Sequence, residues 1–447
     1  MSEAFSLAVE KVVAGGLGLG HRSDGMVVLV PGVLPGEQVR VRVRHRKKGF
    51  LEGDLLAVET ASPDRVAPGC PLYGRCGGCD FQHASYPAQL RLKQDILAQH
   101  LVRGRLAASL VEAIAMLDEP LPSPRSLGYR LRLRLHVDKL GQVGFHRFHS
   151  HAVVPVGQCL IARDGINCVL AIVGTSPCLR DLFEHTSEFE ILLSPAEDLC
   201  VLLLDFARKP RPADLAMVRG AVQQLAGVNE VLLRVAGHGL FSAEGLVQQM
   251  RDHAMIRLTL PAGQGVAPVA LAVEPGGFYQ VNQEQNERLV GLLRDWAAVG
   301  KDQRVLDLFC GVGNFSLPLA RVAGQVAGMD LQGAAVRSAI RNATLNGLNN
   351  AGFTKMEAAA GARRLVELGE RFDLLLLDPP RGGCREVLPH VAALAPKTII
   401  YISCDPATLT RDLGDLIGLG YSIKKMRLLD MFPQTSHLET MVMLRRD

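Results

Sequence analysis

From about residue 273 the chain repeats one unit, a short apolar run followed by a helix-like segment; the runs are residues 305–309, 326–330, 374–378 and 398–403. Runs without polar alternation read as strands buried on both faces, which requires a parallel sheet with helices on each side. A doubly wound α/β sheet of this kind binds ligands at the carboxyl ends of its strands. The first run leads into Val305-Leu-Asp-Leu-Phe-Cys-Gly-Val-Gly-Asn-Phe-Ser316, a strand, then a loop carrying Gly311 and Gly313, then a helix. Glycines there let a ligand approach the backbone closely. Asp330 closes the next strand, where a carboxylate accepts hydrogen bonds from ribose hydroxyls. A nicotinamide site is one reading, but Ser316 stands where the dinucleotide fingerprint wants its third glycine.

The acidic residue inside the first strand, Asp307, instead resembles the S-adenosylmethionine-dependent methyltransferases. In Leu377-Asp-Pro-Pro-Arg-Gly-Gly383, two prolines fix the backbone after a buried strand and hold Asp378 at the cofactor edge; isolated, the segment would read as a capped turn. In Tyr401-Ile-Ser-Cys-Asp-Pro406, a strand ends at Cys404, Asp405 caps the following helix and Pro406 suits its first turn. The positive helix end is expected to lower the thiol pKa and make Cys404 a nucleophile, against the alternative of a buried structural cysteine. A methyltransferase needs such a thiol when the acceptor is carbon 5 of uracil. Thiolate addition at carbon 6 pushes electron density onto carbon 5, which then attacks the methyl sulfonium. A base must afterwards take the carbon 5 proton, and the tail Phe432-Pro-Gln-Thr-Ser-His-Leu-Glu439 offers Glu439, with His437 as a helper.

The N-terminal third differs in charge and pattern. Residues 1–150 carry 20 Lys/Arg against 14 Asp/Glu, and the remainder 29 against 31. Residues 5–60 read as short strands between Gly-rich turns, a small β-barrel. One strand alternates Val39, Val41, Val43 with Arg40, Arg42, Arg44 and runs on into Arg46, Lys47 and Lys48. That face is expected to contact nucleic acid, against a charged edge that merely guards a sheet from aggregation. Residues 129–135 alternate in the same way and reinforce the stripe. A helix is expected from about Pro87 to Val102 and another over about 213–226. Between the barrel and the first helix, Cys70, Cys76 and Cys79 share a loop, and Cys159 follows far downstream; four thiolates suit an iron–sulfur cluster or zinc, which spacing alone does not separate. The longest apolar runs fall far short of the roughly 18 residues a bilayer span needs, and no basic, apolar export signal opens the chain. A cytoplasmic, membrane-free protein is therefore expected.

Cys404 in Ser-Cys-Asp-Pro, Asp-Pro-Pro-Arg, Phe278-Tyr-Gln-Val-Asn282 and the Phe-Pro-Gln-Thr-x-His-x-Glu tail together resemble the RNA uracil-5-methyltransferases over nearly the whole chain. The resemblance implies an N-terminal TRAM barrel of the oligonucleotide-binding type over 1–61, a central α+β iron–sulfur domain over 62–272 and a Rossmann-like class I methyltransferase domain over 273–447. It implies that Gln280, Phe309, Asn314, Asp330, Glu357 and Asp378 line the S-adenosylmethionine site, that Cys404 is the nucleophile and that Glu439 accepts the proton. Asp330 stands where relatives usually have glutamate, and Glu357 where they often have asparagine; aspartate makes the same bonds at shorter reach. The cysteine spacing resembles ribosomal members, which carry a 4Fe-4S cluster, and implies Cys70, Cys76, Cys79 and Cys159 as ligands and 23S rRNA as substrate. A monomer without an obligate protein partner is expected. The alternatives are a tRNA uracil-5-methyltransferase and a non-catalytic iron–sulfur RNA-binding sensor; intact Cys404, Glu439 and Gly loop argue against the sensor.

Overall fold

The computed structural model describes residues 4–446. Strands β1 (Ala4–Ala8), β2 (Lys11–Val13), β3 (Leu17–His21), β4 (Val27–Pro31), β5 (Gln38–Lys47) and β6 (Phe50–Thr60) form one curled sheet in the order β1-β5-β6-β4-β3-β2. The alternation in β5 works as expected on its inner face: Val39 and Val41 are fully buried in a core shared with Leu7, Val28, Val30 and Leu51.

The outer face of β5 departs from expectation. Its antiparallel neighbour β6 places acids opposite the arginines, so Arg40 pairs with Glu59 (3.2 Å), Arg42 with Asp54 (3.6 Å) and Arg44 with Glu52 (3.7 Å) and Asp54 (3.6 Å). The stripe is largely neutralised by its own sheet. Arg46, Lys47 and Lys48 have no acidic partner among the described residues and stay exposed.

Helices α1 (Tyr86–Arg103) and α2 (Leu110–Ala115) and strand β7 (Asp118–Leu121) follow the cysteine loop. The central sheet comprises β8 (Arg132–Val137), β9 (Val143–His146), β10 (Val153–Pro155), β11 (Thr186–Ser194), β12 (Leu199–Phe206), β13 (Val228–Val235), β14 (Gly239–Ser242) and β15 (Gly245–Leu246), ordered β10-β9-β8-β11-β12-β13-β14-β15. Helices α3 (Asp164–Val173), α4 (Pro177–Phe183) and α5 (Pro212–Gln224) accompany it. The second basic stripe is also met by acids: Arg132 and Arg134 bond the buried Glu190 at 2.6 and 2.9 Å. Its arginines hold the sheet together instead of forming a free cationic face.

A hairpin, β16 (Ile256–Leu260) and β17 (Val269–Val273), leads into the C-terminal domain. There the chain forms α6 (Gln283–Ala297), β18 (Arg304–Asp307), α7 (Ser316–Ala320), β19 (Gln325–Asp330), α8 (Gly333–Leu345), β20 (Ala351–Lys355), α9 (Ala358–Glu367), β21 (Leu374–Leu377), α10 (Leu388–Leu394), β22 (Thr398–Ser403), α11 (Pro406–Gly418), β23 (Tyr421–Leu429) and β24 (Glu439–Arg446). The sheet order is β20-β19-β18-β21-β22-β24-β23-β7; β18 to β22 pair in parallel and β24 runs antiparallel to β22. The strand order reverses between β18 and β21, the crevice where such sheets hold ligands.

The expected central block 62–272 is divided in the structure. β7 adds to the edge of the C-terminal sheet beside β23, and α1 buries Ile96, Leu97 and Leu101 in one core with Leu375, Tyr401 and Leu413. The hairpin before 273 also belongs with the catalytic sheet, since Asn342 of α8 and Asn346 just after it accept from the backbone N–H of Ala272 and Ala270, both at 2.9 Å. The helix expected over about 87–102 forms as α1, but long-range packing decides its buried face, which includes the polar Gln89, Lys93 and Gln99. Among the described residues no single helix is long and apolar enough to cross a membrane.

Candidate active site

Strand β18 ends at the fully buried Asp307, whose carboxylate accepts from Ser316 Oγ and from the Phe309 N–H. These bonds tie the two ends of the glycine loop together. Gly311 and Gly313 take positive φ angles of 53° and 92°, and a β-carbon on Gly313 would lie 2.7 Å from the Leu317 side chain, so an L-residue would be both strained and crowded there. Asp330, at the end of β19, accepts from Gly311 N–H (3.0 Å) and Gln332 N–H (2.7 Å), which fixes its carboxylate at the loop. Asn314 exchanges two amide bonds with Asn286 of α6, at 2.8 and 3.0 Å. Its amide therefore locks the loop to α6. Phe309 is half-buried beside it, and Gln280 is buried in the segment leading to α6. Glu357 is exposed where β20 gives way to α9, next to Met356, whose N–H donates to the Asp330 carbonyl (3.0 Å). It shares the strand edge with Asp330 but lies outside the buried part of the site.

Across the switch point, Asp378 follows β21. Burial pushes its carboxyl up to about 7, helped by the charge of Asp307, which burial likewise raises to about 7. The following loop is fastened to α11. Thr408 Oγ1 donates to the Arg381 carbonyl (3.1 Å), Arg411 to the Gly382 carbonyl (2.9 Å), and Cys384 N–H to Asp412 (2.8 Å), which also accepts from Tyr401 Oη (2.7 Å).

Cys404 leaves β22 with its thiol half-buried, and Asp405 caps α11 by accepting from Ala407 and Thr408 N–H at 3.0 and 2.8 Å. The expected lowering of the thiol pKa is not what this site produces. Burial, with the nearby carboxylates of Glu439 and Asp378, pushes Cys404 up to about 11, opposed by Arg381. The helix end is already taken by the Asp405 carboxylate, so its N–H groups serve a cap instead of a thiolate. Glu439 opens β24, fully enclosed, and burial followed by the Asp378 charge raises its pKa well above the usual range. His437 is lowered by burial and then by Arg381, so its imidazole is neutral at ordinary pH.

Cys404, Glu439, Asp378, Asp307, Arg381 and His437 thus form one electrostatic neighbourhood. The sequence alone assigned no role to Arg381, although it stands in Asp-Pro-Pro-Arg, where a cation beside a nucleophile could have signalled it. Phe278-Tyr-Gln-Val-Asn282 is a joint between sheets. Tyr279 Oη donates to the Leu131 carbonyl (3.2 Å), and Asn282 Nδ2 to Ser123 Oγ (3.0 Å) and the Met431 carbonyl (3.2 Å). Phe278 itself is exposed.

All ten cysteines are free thiols. Cys70, Cys76, Cys79 and Cys159 come together from two distant segments: burial pushes Cys79 up to about 12, with Cys159, Cys76 and Cys70 each adding to the rise. Gln82 accepts from Cys70 N–H (3.1 Å), and Asn167 accepts from Cys159 N–H (2.9 Å). As the side chains are placed, no group of three or more His, Cys, Asp or Glu among the described residues stands in a metal-ligating arrangement.

A doubly wound sheet with one antiparallel strand, β24, a glycine loop after β18 and carboxylates at the strand ends defines a class I methyltransferase. Residues 268–447 match the family described as tRNA (Uracil-5-)-methyltransferase, and residues 6–56 match the TRAM domain. The chain is 36% identical to the 23S rRNA (uracil(1939)-C(5))-methyltransferase RlmD of Aeromonas hydrophila, covering 96% of this chain and 93% of that protein. It is 35% identical to the RlmD of Alkalilimnicola ehrlichii, over 100% of this chain and 97% of that protein. The crystal structure of Pyrococcus abyssi tRNA (uracil-54, C5)-methyltransferase with S-adenosyl-L-homocysteine superposes with a TM-score of 0.71 at 22% identity, over 98% of this chain and 100% of that one, which shows a shared fold. The protein belongs to the RNA uracil-5-methyltransferase family, in a form with an N-terminal TRAM domain.

Proposed function

We propose that the protein transfers a methyl group from S-adenosylmethionine to carbon 5 of a uridine in 23S rRNA, through an adduct on Cys404 and with Glu439 as proton acceptor. The observation that carries the chemistry is the delivery of Cys404 and Glu439 to one spot by paired strands, beside Asp378 at the cofactor edge. The choice of 23S rRNA rests on the full-length relatives, which are named for it.

S-adenosylmethionine supplies an electrophilic methyl sulfonium; the chain supplies the rest. Gln280, Phe309, Asn314, Asp330 and Asp378 would hold the donor, Phe309, Asn314 and Asp330 from the glycine loop and the end of β19, with Glu357 at the outer rim of that edge. The Cys404 thiol releases its proton to solvent, and the thiolate adds to carbon 6 of the uracil, breaking the 5,6 π bond and forming a C–S bond and an enolate. Carbon 5 then takes the methyl group, breaking the donor's S–CH3 bond. Glu439 removes the carbon 5 proton, the C–S bond breaks and the thiolate leaves, restoring the 5,6 double bond. Burial raises the basicity of both groups, and Arg381 favours the thiolate when it forms. Neutral His437 stands on the same segment as a relay for the proton.

The proposal extends to the N-terminal half. Four gathered thiols have the donor chemistry of a 4Fe-4S cluster, and Cys70, Cys76, Cys79 and Cys159 would hold it. The methylation steps transfer no electrons, so its part there is structural, orienting the RNA-holding region. A cytoplasmic monomer belongs to the same proposal.

Incubation with S-adenosylmethionine and unmodified 23S rRNA, followed by mass mapping, should place 5-methyluridine in that RNA. Cys404→Ala should produce none while still binding S-adenosylmethionine. Turnover by Cys404→Ala, or methylation confined to tRNA, would contradict the proposal.

A further inference from the structure

The segment between β23 and β24, residues 430–438, carries His437 and delivers Glu439, yet most of the bonds that shape it come from residues before 130. Lys93 of α1, fully buried, donates to Asp430 Oδ1 (2.6 Å) and to the Phe432 carbonyl (3.0 Å). Tyr129 Oη donates to the Pro433 carbonyl (3.0 Å). Gln89 brackets Gln434, donating to its Oε1 (3.0 Å) and accepting from its N–H (2.9 Å). Gln434 is held at a φ of +69°, a left-handed conformation that a side chain disfavours and that these bonds impose.

The cysteine loop adds the last and most specific set. Asp80 and Phe81 N–H both donate to the Gln434 carbonyl, at 2.9 and 3.0 Å, and Asp80 Oδ2 accepts from Ser436 N–H (2.8 Å). Asp80 directly follows Cys79. The TRAM barrel closes over the same junction: a β-carbon on Gly16, whose φ is +74°, would lie 3.1 Å from Cβ of both Asp80 and Ser436. Three parts of the molecule meet where one carboxylate fixes the backbone three residues before Glu439.

We propose that Asp80 is a positioning residue for the reaction: by holding Ser436 it sets the path of residues 432–438, keeps Glu439 in reach of the adduct on Cys404, and couples the cysteine loop to the chemical step. The inference rests on the catalytic reading of Cys404 and Glu439. A carboxylate at 80 is chemically no different from many turn-binding acids; its target distinguishes it, a strap whose displacement by a fraction of an ångström would move the base.

The test is single-turnover methyl transfer with the full-length protein at saturating RNA and S-adenosylmethionine, alongside binding of each. Asp80→Ala should slow transfer by about tenfold or more while both affinities stay within about threefold, because misplacement costs rate and not ground-state binding. Asp80→Asn, which retains an oxygen acceptor for Ser436 N–H, should restore the rate to within about threefold of the parent. Asp80→Ser, with a hydroxyl too short for that bond, is the second loss variant if Asp80→Ala does not accumulate as folded protein. An unchanged rate in the loss variants, a loss that saturating RNA fully repairs, or an Asp80→Asn as slow as Asp80→Ala would overturn the assignment. Cys404→Ala in the same assay reports separately on the parent reading: its turnover would sink the covalent route, whereas the Asp80 rates are read from methyl transfer alone.

Discussion

Cys404 leaves β22 directly opposite the point at which Glu439 enters β24, because Ser403 is registered against Thr440 in that antiparallel pair. Facing residues in such a ladder lie about 4.5 to 5.5 Å apart at their α-carbons, so the last pair, Ser403 and Thr440, brings the adjoining nucleophile and base close together. The two groups also compete for charge. A carboxylate at Glu439 raises the Cys404 thiol, and burial raises both, so the buried pocket resists holding two anions together. The proposed steps never ask it to. When Glu439 is needed as a base, Cys404 is a neutral thioether.

The buried carboxylates carry a stability cost with a definite pH signature. Asp378 stands at about 7 in the folded chain against an ordinary 3.8, so between these values the folded state keeps a proton that the unfolded state has released. Stability therefore falls as pH rises through that window, by up to about 1.4 kcal/mol per pH unit for one such group. Asp378→Asn lacks the penalty. It should melt above the parent at pH 8, with the gap shrinking toward pH 4, while losing affinity for the methyl donor. Thermal melts across this range check it; a variant that melts below the parent at pH 8 would show that Asp378 is stabilised by contacts stronger than its desolvation.

RNA binding by the TRAM barrel should follow the cations that its own sheet leaves unpaired. Replacing Arg46, Lys47 and Lys48 with Gln should flatten the dependence of RNA affinity on salt by about 0.7 in log–log slope for each phosphate that is no longer neutralised. The same treatment of Arg40, Arg42 and Arg44 should change the slope less, since each already faces an acid on β6. Binding titrations at several salt concentrations separate the two sets, and the reverse ranking would return the RNA surface to the arginine stripe.

Removal of the cysteine site should be visible as metal and as function. Anaerobically prepared protein should contain about four iron atoms per chain, and Cys79→Ser or Cys159→Ser should bleach it. Because Cys79 adjoins Asp80, the bleached protein should keep its affinity for S-adenosylmethionine and lose rRNA affinity together with transfer rate. Metal analysis finding one zinc per chain would replace the cluster with a structural zinc site.

What was legible in the sequence was local. Four apolar runs marked four of the five parallel strands β18 to β22 and missed β20, whose Ala351-Gly-Phe-Thr-Lys355 is no continuous apolar run; Asp405 and Pro406 marked the start of α11, and Cys404 could be placed at a strand end by what flanks it. Pairing partners were not legible. Nothing in residues 118–121 tells that they join the edge of a sheet beside β23, some 300 residues later. Nor does the arginine run of β5 announce the acids of β6, which become neighbours only once the register is known. The direction of the Cys404 shift was hidden for a similar reason. A helix start is a local signal, while the burial and the two carboxylates that outweigh it are assembled from β21, β22 and β24.

The most direct test is Glu439→Gln incubated with S-adenosylmethionine and labelled 23S rRNA fragments, then resolved on a denaturing gel. Glutamine fills the same space but accepts no proton. Addition by Cys404 and methyl transfer should proceed, elimination should stall, and a methylated protein–RNA adduct should accumulate that Cys404→Ala in the same background abolishes. Loss of product with no adduct, or normal release of methylated RNA, would contradict the assignment of Glu439 as the base that completes the reaction.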